Sequence, residues 1–293
     1  MGALSYEPDH SQDAGSVEPL ALDRLAEESA IVLTGDSEEV FEELLRLSGS
    51  SAGARPKIVA QVSADKRKII HGAAKLKPGF GHWMIKFASS QDPRDIGAIE
   101  YAYSLMARDA GLEVPETHLF RTRKRAYFGV KRFDGHGDRR VHMHSLSGLI
   151  HADYRNPSLD YDVVLRVALV MTKNIVDVEK AYALACFNVL AHNRDDHATN
   201  FSLLLNEAYG WVFGPAYDLT FSDGPAGEQS TMVMGEGRNP GVEHLKILGK
   251  EHNLKKATRI LARVQKAIHD WRIYAEAAGV TAKSTTAIAE RIS

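Results

Sequence analysis

The hydrophobic periodicity of this chain changes once, at the turn-rich stretch Asp134-Gly135-His136-Gly137-Asp138, and that change limits what its 293 residues can build. Before it, residues 57–63 and 82–88 alternate or run apolar as strands do, and 117–121 with 126–133 read as a hairpin. An amphipathic helix over 94–110, closed by Gly111, interrupts these strands. Residues 20–33 and 40–47 also have helical spacing, the second opened by Asp36 with Glu39 three positions on. After the break the pattern is mainly helical to the end. The expected class is α+β, with a polar arm over 1–19, a strand-rich part over 20–134 and a helical part over 135–293.

Composition narrows the function classes. Apolar residues make up 44% of the chain and charged ones 25%, as in ordinary globular proteins. The 36 basic and 38 acidic side chains leave a net charge of -2, so no global field draws the chain to nucleic acid or membrane. Its single cysteine, Cys186, lies on the apolar side of a helical segment, which predicts a buried core thiol and suits a reducing cytoplasm. Neither a signal peptide nor an apolar run long enough to span a bilayer is present in the sequence, and the expected location is cytoplasmic.

The most chemical segment follows a helix expected over 181–192. It reads Asp195-Asp196-His197-Ala198-Thr199-Asn200-Phe201, and Pro215-Ala216-Tyr217-Asp218-Leu219 comes one short hairpin later (201–205 and 211–213 around a turn at 206–210). Phosphoryl transfer asks a protein mostly for positioning and charge neutralisation. One Asp accepts a hydroxyl proton while an Asn and another Asp hold the metal ions that bridge the phosphates. That layout makes Asp195 the base and Asn200 and Asp218 the magnesium ligands of an ATP-dependent kinase. By spacing alone, a helix end followed by a strand would also satisfy D-x-H-x-x-N.

Other segments fit the same chemistry. Ser48-Gly49-Ser50-Ser51-Ala52-Gly53-Ala54-Arg55-Pro56-Lys57 precedes a strand, and its small residues, Gly53 and Ala54 among them, let backbone N–H groups approach phosphates while Lys57 adds a cation. It lacks the ending of a Walker A loop, and a plain helix-to-strand linker reads equally well. Lys86 lies in an apolar strand and needs either solvent or a counter-charge, for which Glu100 on the next helix is available. The stretch 128–134, with Lys131 and Phe133, ends a strand where a hinge facing adenine would lie. His142 and His144 share a strand face, but a third and fourth zinc ligand at recognisable spacing are missing. Arg121-Thr122-Arg123-Lys124-Arg125 reads as a solvated hairpin tip. A single helix over 254–277 would carry Lys255, Arg259, Arg263 and Lys266 on one face, solvated or docking DNA or an acidic partner.

Taken in order, these pieces resemble the HipA family of bacterial serine/threonine kinase toxins. The resemblance rests on the loop ending Gly53-Ala54-Arg55-Pro56-Lys57, the strand Ile85-Lys86-Phe87, Glu100 with its helix, Val130-Lys131-Arg132-Phe133-Asp134, the run at 195–202 and Pro215-Ala216-Tyr217-Asp218-Leu219. It implies a two-lobed protein-kinase-like fold, a strand-rich N-lobe and a helical C-lobe. It also implies ATP and Mg2+ as cofactors, His197 and Lys57 as further phosphate contacts, Tyr217 in the nucleotide-binding set, and autophosphorylation at Ser50 or Ser51. Phosphorylation there would add nearly two negative charges beside the nucleotide phosphates and eject the loop. The start at Met1 is similar to the shorter, split form of the family, in which a separate small antitoxin replaces the N-terminal subdomain. A DNA-binding antitoxin and an aminoacyl-tRNA synthetase substrate are implied as partners, and no membrane. The alternatives are a small-molecule kinase of similar fold and a catalytically silent binding module in a DNA-bound antitoxin complex.

Overall fold

The computed structural model describes residues 22–24, 26, 55–70, 76–137, 139–152 and 159–292. The expected arm over 1–19, the helix over 40–47, and Ser50, Ser51, Gly53 and Ala54 lie outside them. The chain divides into two compact units. One, the sheet unit, takes Leu4–Tyr101 and Pro115–Arg140; the other, the helical unit, includes Ala102–Val114 and Val141–Ser293.

In the sheet unit, strands β1 (Lys57–Ser63), β2 (Ile69–Ile70), β3 (Phe80–Lys86), β4 (Thr117–Arg121) and β5 (Ala126–Lys131) form one antiparallel sheet in the order β2-β1-β3-β5-β4. Its inner face is supplied by the alternation read from the sequence: Ile58, Ala60 and Val62 from β1 meet Trp83 and Ile85 from β3, with Phe87, Phe120, Tyr127 and Leu22 around them. Trp83 and Phe120 meet edge to face, as do Phe87 and Tyr127. β3 begins and ends two residues earlier than expected: its pairing with β1 runs from Phe80 opposite Ser63 to Lys86 opposite Lys57, and beyond it Pro56 accepts from the Phe87 N–H but has no N–H to return. β5 stops at Lys131, which leaves Phe133 beyond the strand, and β6 (Gly135–His136) pairs with β7 (Arg139–Arg140) just after it.

Helix α1 (Ile96–Asp109) gives its first turns to the sheet unit and the rest, from Ala102, to the helical unit. It ends at Gly111, whose φ of +89 lets Gly111 N–H reach Arg108 O and Leu112 N–H reach Ala107 O.

In the helical unit, β8 (Met143–Ser145) leads into the short α2 (Leu146–Ile150), and β9 (Leu159–Asp160) into α3 (Tyr161–Thr172). α4 (Ile175–Leu190) starts six residues before the expected helix, because Asn174 caps it by accepting the Val176 N–H, and its middle turns are buried on nearly every side. Cys186 is fully buried there. β10 (Ser202–Leu205) pairs with β8 and with β11 (Trp211–Phe213), so the expected hairpin forms. β12 (Thr231–Met232) runs parallel to β9, and α5 (Val242–Glu251) follows. The single helix expected over 254–277 is two, α6 (Ala257–His269) and α7 (Trp271–Ala278), before α8 (Ala282–Ala289). The break at Asp270 lets Trp271 turn inward, where its ring packs edge-on to Tyr103 and its indole N–H reaches the Thr285 carbonyl. No helix among the described residues is long and apolar enough to cross a membrane.

Candidate active site

The sheet unit builds a basic group around one carboxylate. β3 is an interior strand, and the Lys86 Nζ lies 3.0 Å from Glu100 Oε1, with side chains only 9% and 2% exposed. An edge-strand lysine facing water is thereby ruled out. Arg55 joins the same oxygen at 3.1 Å and also grips Asp92 at 2.8 Å. Burial alone would raise the Asp92 carboxyl, but the Ser89 side-chain and backbone donors and the Arg55 guanidinium outweigh it and hold Asp92 below the usual range. Glu100 reaches this position because α1 lies directly on β5: at Gly97 an added Cβ would stand within 2.4 Å of the Ala126 carbonyl oxygen. Lys57 stands opposite Lys86 in the β1–β3 register, so two cations end adjacent strands, and the Lys86 ammonium lies 5.7 Å from the Phe128 ring centre. Lys131 is about half exposed and lies 3.4 Å from a Glu116 carboxylate oxygen.

In the helical unit, α4 ends at Ala191 and His192 takes a left-handed φ of 53, which turns the chain into the loop. Backbone bonds from Arg194 to Ser222, from Ser222 to His192 and from Ser230 to Arg194 clamp that loop between two later segments. Asp195 then projects outward, its side chain 58% exposed, with His197 Nε2 at 3.9 Å. A single turn of 3-10 helix over Ala198–Asn200 brings the chain back on itself. The buried Asn200 donates its side-chain N–H to the Asp195 carbonyl at 2.9 Å. The Tyr217 hydroxyl donates to the Thr199 carbonyl at 2.5 Å, tying the segment before Asp218 to the turn that carries Asn200. Burial pushes the Tyr217 phenol upward, so it remains a donor. Asp218 sits in left-handed backbone, φ 58, a conformation that Asp tolerates better than most residues and that recurs where function fixes the chain.

A magnesium ion fits this donor set. With its N–H on Asp195, Asn200 keeps a carbonyl oxygen of the hard type that Mg2+ prefers, and Asp218 adds a carboxylate. Mg2+ takes one or two protein carboxylates and completes its shell with phosphate and water, so the absence, among the described residues, of a cluster of three or more His, Cys, Asp or Glu that could cage a metal is compatible with it. The same absence covers His142 and His144, whose rings lie 6.3 Å apart and perpendicular, His142 against Trp211. The basic stripe is exposed at Lys255, Arg259, Arg263 and Lys266, and Arg263 donates to the Asp109 carbonyl.

Sequence reasoning passed over Arg55 and Asp92 as partners of the Lys86–Glu100 pair, and over Asp196. The signal for Asp196 was present: the loop carries two consecutive carboxylates where the chemistry needs one. Asp196 is buried and points away from solvent, and burial pushes its carboxyl up to about 8, against the lowering effect of donors from Tyr161, Gln229 and Thr231.

The family model described as HipA-like C-terminal domain matches residues 49–272. Among solved structures, HipA in the Shewanella oneidensis MR-1 complex of HipA, HipB and operator DNA aligns with a TM-score of 0.69 at 14% identity, over 99% of this chain and 73% of that one. The Helicobacter pylori proinflammatory kinase CtkA aligns with a TM-score of 0.45 at 12% identity, over 72% of this chain and 90% of its own. No curated protein matches.

Proposed function

The chain belongs to the HipA-like C-terminal domain family, and from that premise we propose that it is an ATP-dependent serine/threonine protein kinase, the toxin of a bacterial toxin–antitoxin system. The observation that carries the reading is the tie between Asn200 and Asp195: one hydrogen bond couples the residue suited to bind metal to the backbone of the residue suited to accept a proton. Asp195, exposed beside its own buried loop, takes the proton from the acceptor hydroxyl. Lys86, held by Glu100, meets the nucleotide phosphates with Lys57, and His197 adds a polar contact to them. Gly53 and Ala54 ahead of β1 in the sequence, Lys131 at the end of β5, Phe133 just past it, and Tyr217 complete the nucleotide-binding set. Asn200 and Asp218 would hold Mg2+, which when bound neutralises charge on the phosphates.

The acceptor is a protein hydroxyl, on an aminoacyl-tRNA synthetase, and the chain also phosphorylates its own Ser50 or Ser51. HipA of Shewanella oneidensis assembles with HipB and operator DNA, which supports a DNA-binding antitoxin as partner here; a separate small antitoxin is a second. The compartment is the cytoplasm.

Incubation with γ-labelled ATP and Mg2+, alone and then with cell extract, tests the reading. Label should enter the chain at Ser50 or Ser51 and a protein band in the extract, and both should vanish in Asp195→Ala. Label in a small molecule would redirect the assignment to a metabolite kinase, and absence of nucleotide binding would overturn it.

A further inference from the structure

Asp196 adjoins the base yet has no place in phosphoryl transfer, and it sits at the centre of a buried polar cluster in the helical unit. One carboxyl oxygen shares a 2.5 Å hydrogen bond with the Tyr161 hydroxyl and accepts from Gln229 Nε2 at 2.8 Å. The other accepts from the Thr231 N–H at 3.0 Å. The backbone joins in, since the Thr231 hydroxyl donates to the Asp196 carbonyl. A second layer locks the first. Asn188 Nδ2 donates to the Tyr161 oxygen at 2.8 Å, Asn193 Nδ2 to Asn188 Oδ1 at 2.9 Å, and Gln229 Nε2 to the Asn193 carbonyl at 3.0 Å. The members come from α3, α4, the loop itself and the β12 segment, and Tyr161 packs edge-on to Phe201 just past Asn200.

We infer that Asp196 is the positioning residue of the 195–200 loop: its buried carboxyl fixes the chain between Asn193 and Thr231, so that Asp195 and His197 face outward and Asn200 folds back under the base. The reason is steric and electrostatic together. Successive side chains of an extended segment point to opposite sides, so fixing Asp196 inward fixes its two neighbours outward. A carboxyl group with donors on both oxygens cannot rotate without leaving one of them unpaired in the interior, which is expensive. Asn is no substitute. Whichever way its amide turns, an N–H meets either the Thr231 N–H or the Gln229 N–H.

The role in turnover rests on the kinase reading, whereas the anchoring does not, and two measurements separate them. Amide hydrogen exchange is compared between wild type and Asp196→Asn, together with kcat and KM for Mg-ATP. Exchange should accelerate over 193–201 and 229–231 while α6 and the sheet unit stay as they were. In the same variant kcat should fall about 10- to 100-fold with KM rising no more than about threefold, because the base is misplaced while Lys86 and Lys57, which lie outside the loop, keep their places. Should Asp196→Asn fail to fold, Tyr161→Phe removes one partner, keeps the ring, and is expected to shift the same amides and lower kcat less. Unchanged exchange in 193–201 in a folded variant overturns the anchoring, as does a uniform increase over the whole chain. Local loosening with unchanged kcat overturns the positioning role. A wild type that transfers no phosphate sinks the kinase reading and leaves the anchoring to be judged by exchange.

Discussion

Asn200 and Asp195 are joined by a hydrogen bond from side-chain amide to backbone carbonyl, 2.9 Å long, that spans five residues and closes the loop on itself. The bond makes Asn200 more than an oxygen donor. Asn200→Asp keeps an oxygen for a metal ion but sets a second oxygen against the Asp195 carbonyl, so two acceptors face each other. Phosphate transfer should fall at least about 100-fold, and raising Mg2+ should not restore it, since the fault lies in loop geometry. Rescue by Mg2+ would show that only metal affinity had been lost.

Asp195→Asn tests the base by itself. The side chain is more than half exposed, so the exchange should move stability by less than about 0.5 kcal/mol. Its kcat should fall about 10²- to 10⁴-fold, the usual range for losing a general base, with Mg-ATP affinity little changed. Calorimetry for nucleotide binding beside single-turnover kinetics separates the two quantities. Near-normal kcat would remove Asp195 from the role.

Glu100 holds two cations in a largely buried place, so its loss should be felt in stability as well as activity. Removing one partner of a buried ion pair typically costs about 3–5 kcal/mol because a charge is left uncompensated. Glu100→Ala should approach the low end of that range by urea unfolding, since Arg55 keeps its ion pair with Asp92. Lys86→Met combined with Glu100→Ala should recover part of the loss. A double variant as unstable as the sum of the two singles would mean that the pair is not coupled.

How much of this was legible from residues differs by element for a physical reason. Lys86 could be paired with Glu100 in advance because a cation in an apolar strand needs a partner and the next helix offered one. The hairpin around 206–210 was equally plain, its turn residues lying between two apolar runs. Arg55 was not legible as the third member: its contact with Glu100 crosses 45 residues and depends on α1 lying close on β5 at Gly97. The break at Asp270 was hidden because the apolar spacing of α6 continues into α7 without a glycine or proline. The start of α4 was missed because Ile175 and Val176 are apolar yet half exposed, so the amphipathic pattern shows only further on. Asp196 could be read only as a second acid in the loop, since its partners stand 33 and 35 residues away.

Cys186 provides a reporter for the integrity of α4. The thiol is fully buried, and burial pushes it up to about 12, so both access and thiolate are lacking at neutral pH. The folded protein should resist a thiol reagent at pH 8 for hours and react within minutes in denaturant, at the rate of an ordinary cysteine. Fast reaction of the native protein would mean that α4 opens readily, which is incompatible with a rigid support for the loop that follows it.

The pH dependence of stability carries the signature of Asp196. An unfolded aspartate ionises near 3.8, whereas burial pushes the folded carboxyl up to about 8. Between those values the folded state keeps a proton that the unfolded chain sheds, so it binds more protons and loses stability as pH rises. The contribution is least unfavourable below about pH 4, where both states are protonated, and it levels off above about pH 8, where both are ionised. Asp92 runs the other way, its carboxyl being lowered, and its contribution is lost only as pH falls into the acid range. Taking the difference between wild type and Asp196→Asn cancels Asp92 and the remaining groups. Urea unfolding from pH 5 to pH 9 should show that difference declining up to about pH 8 and then holding flat. A difference independent of pH over this range would mean that the three donors offset the burial completely and that Asp196 is ionised throughout.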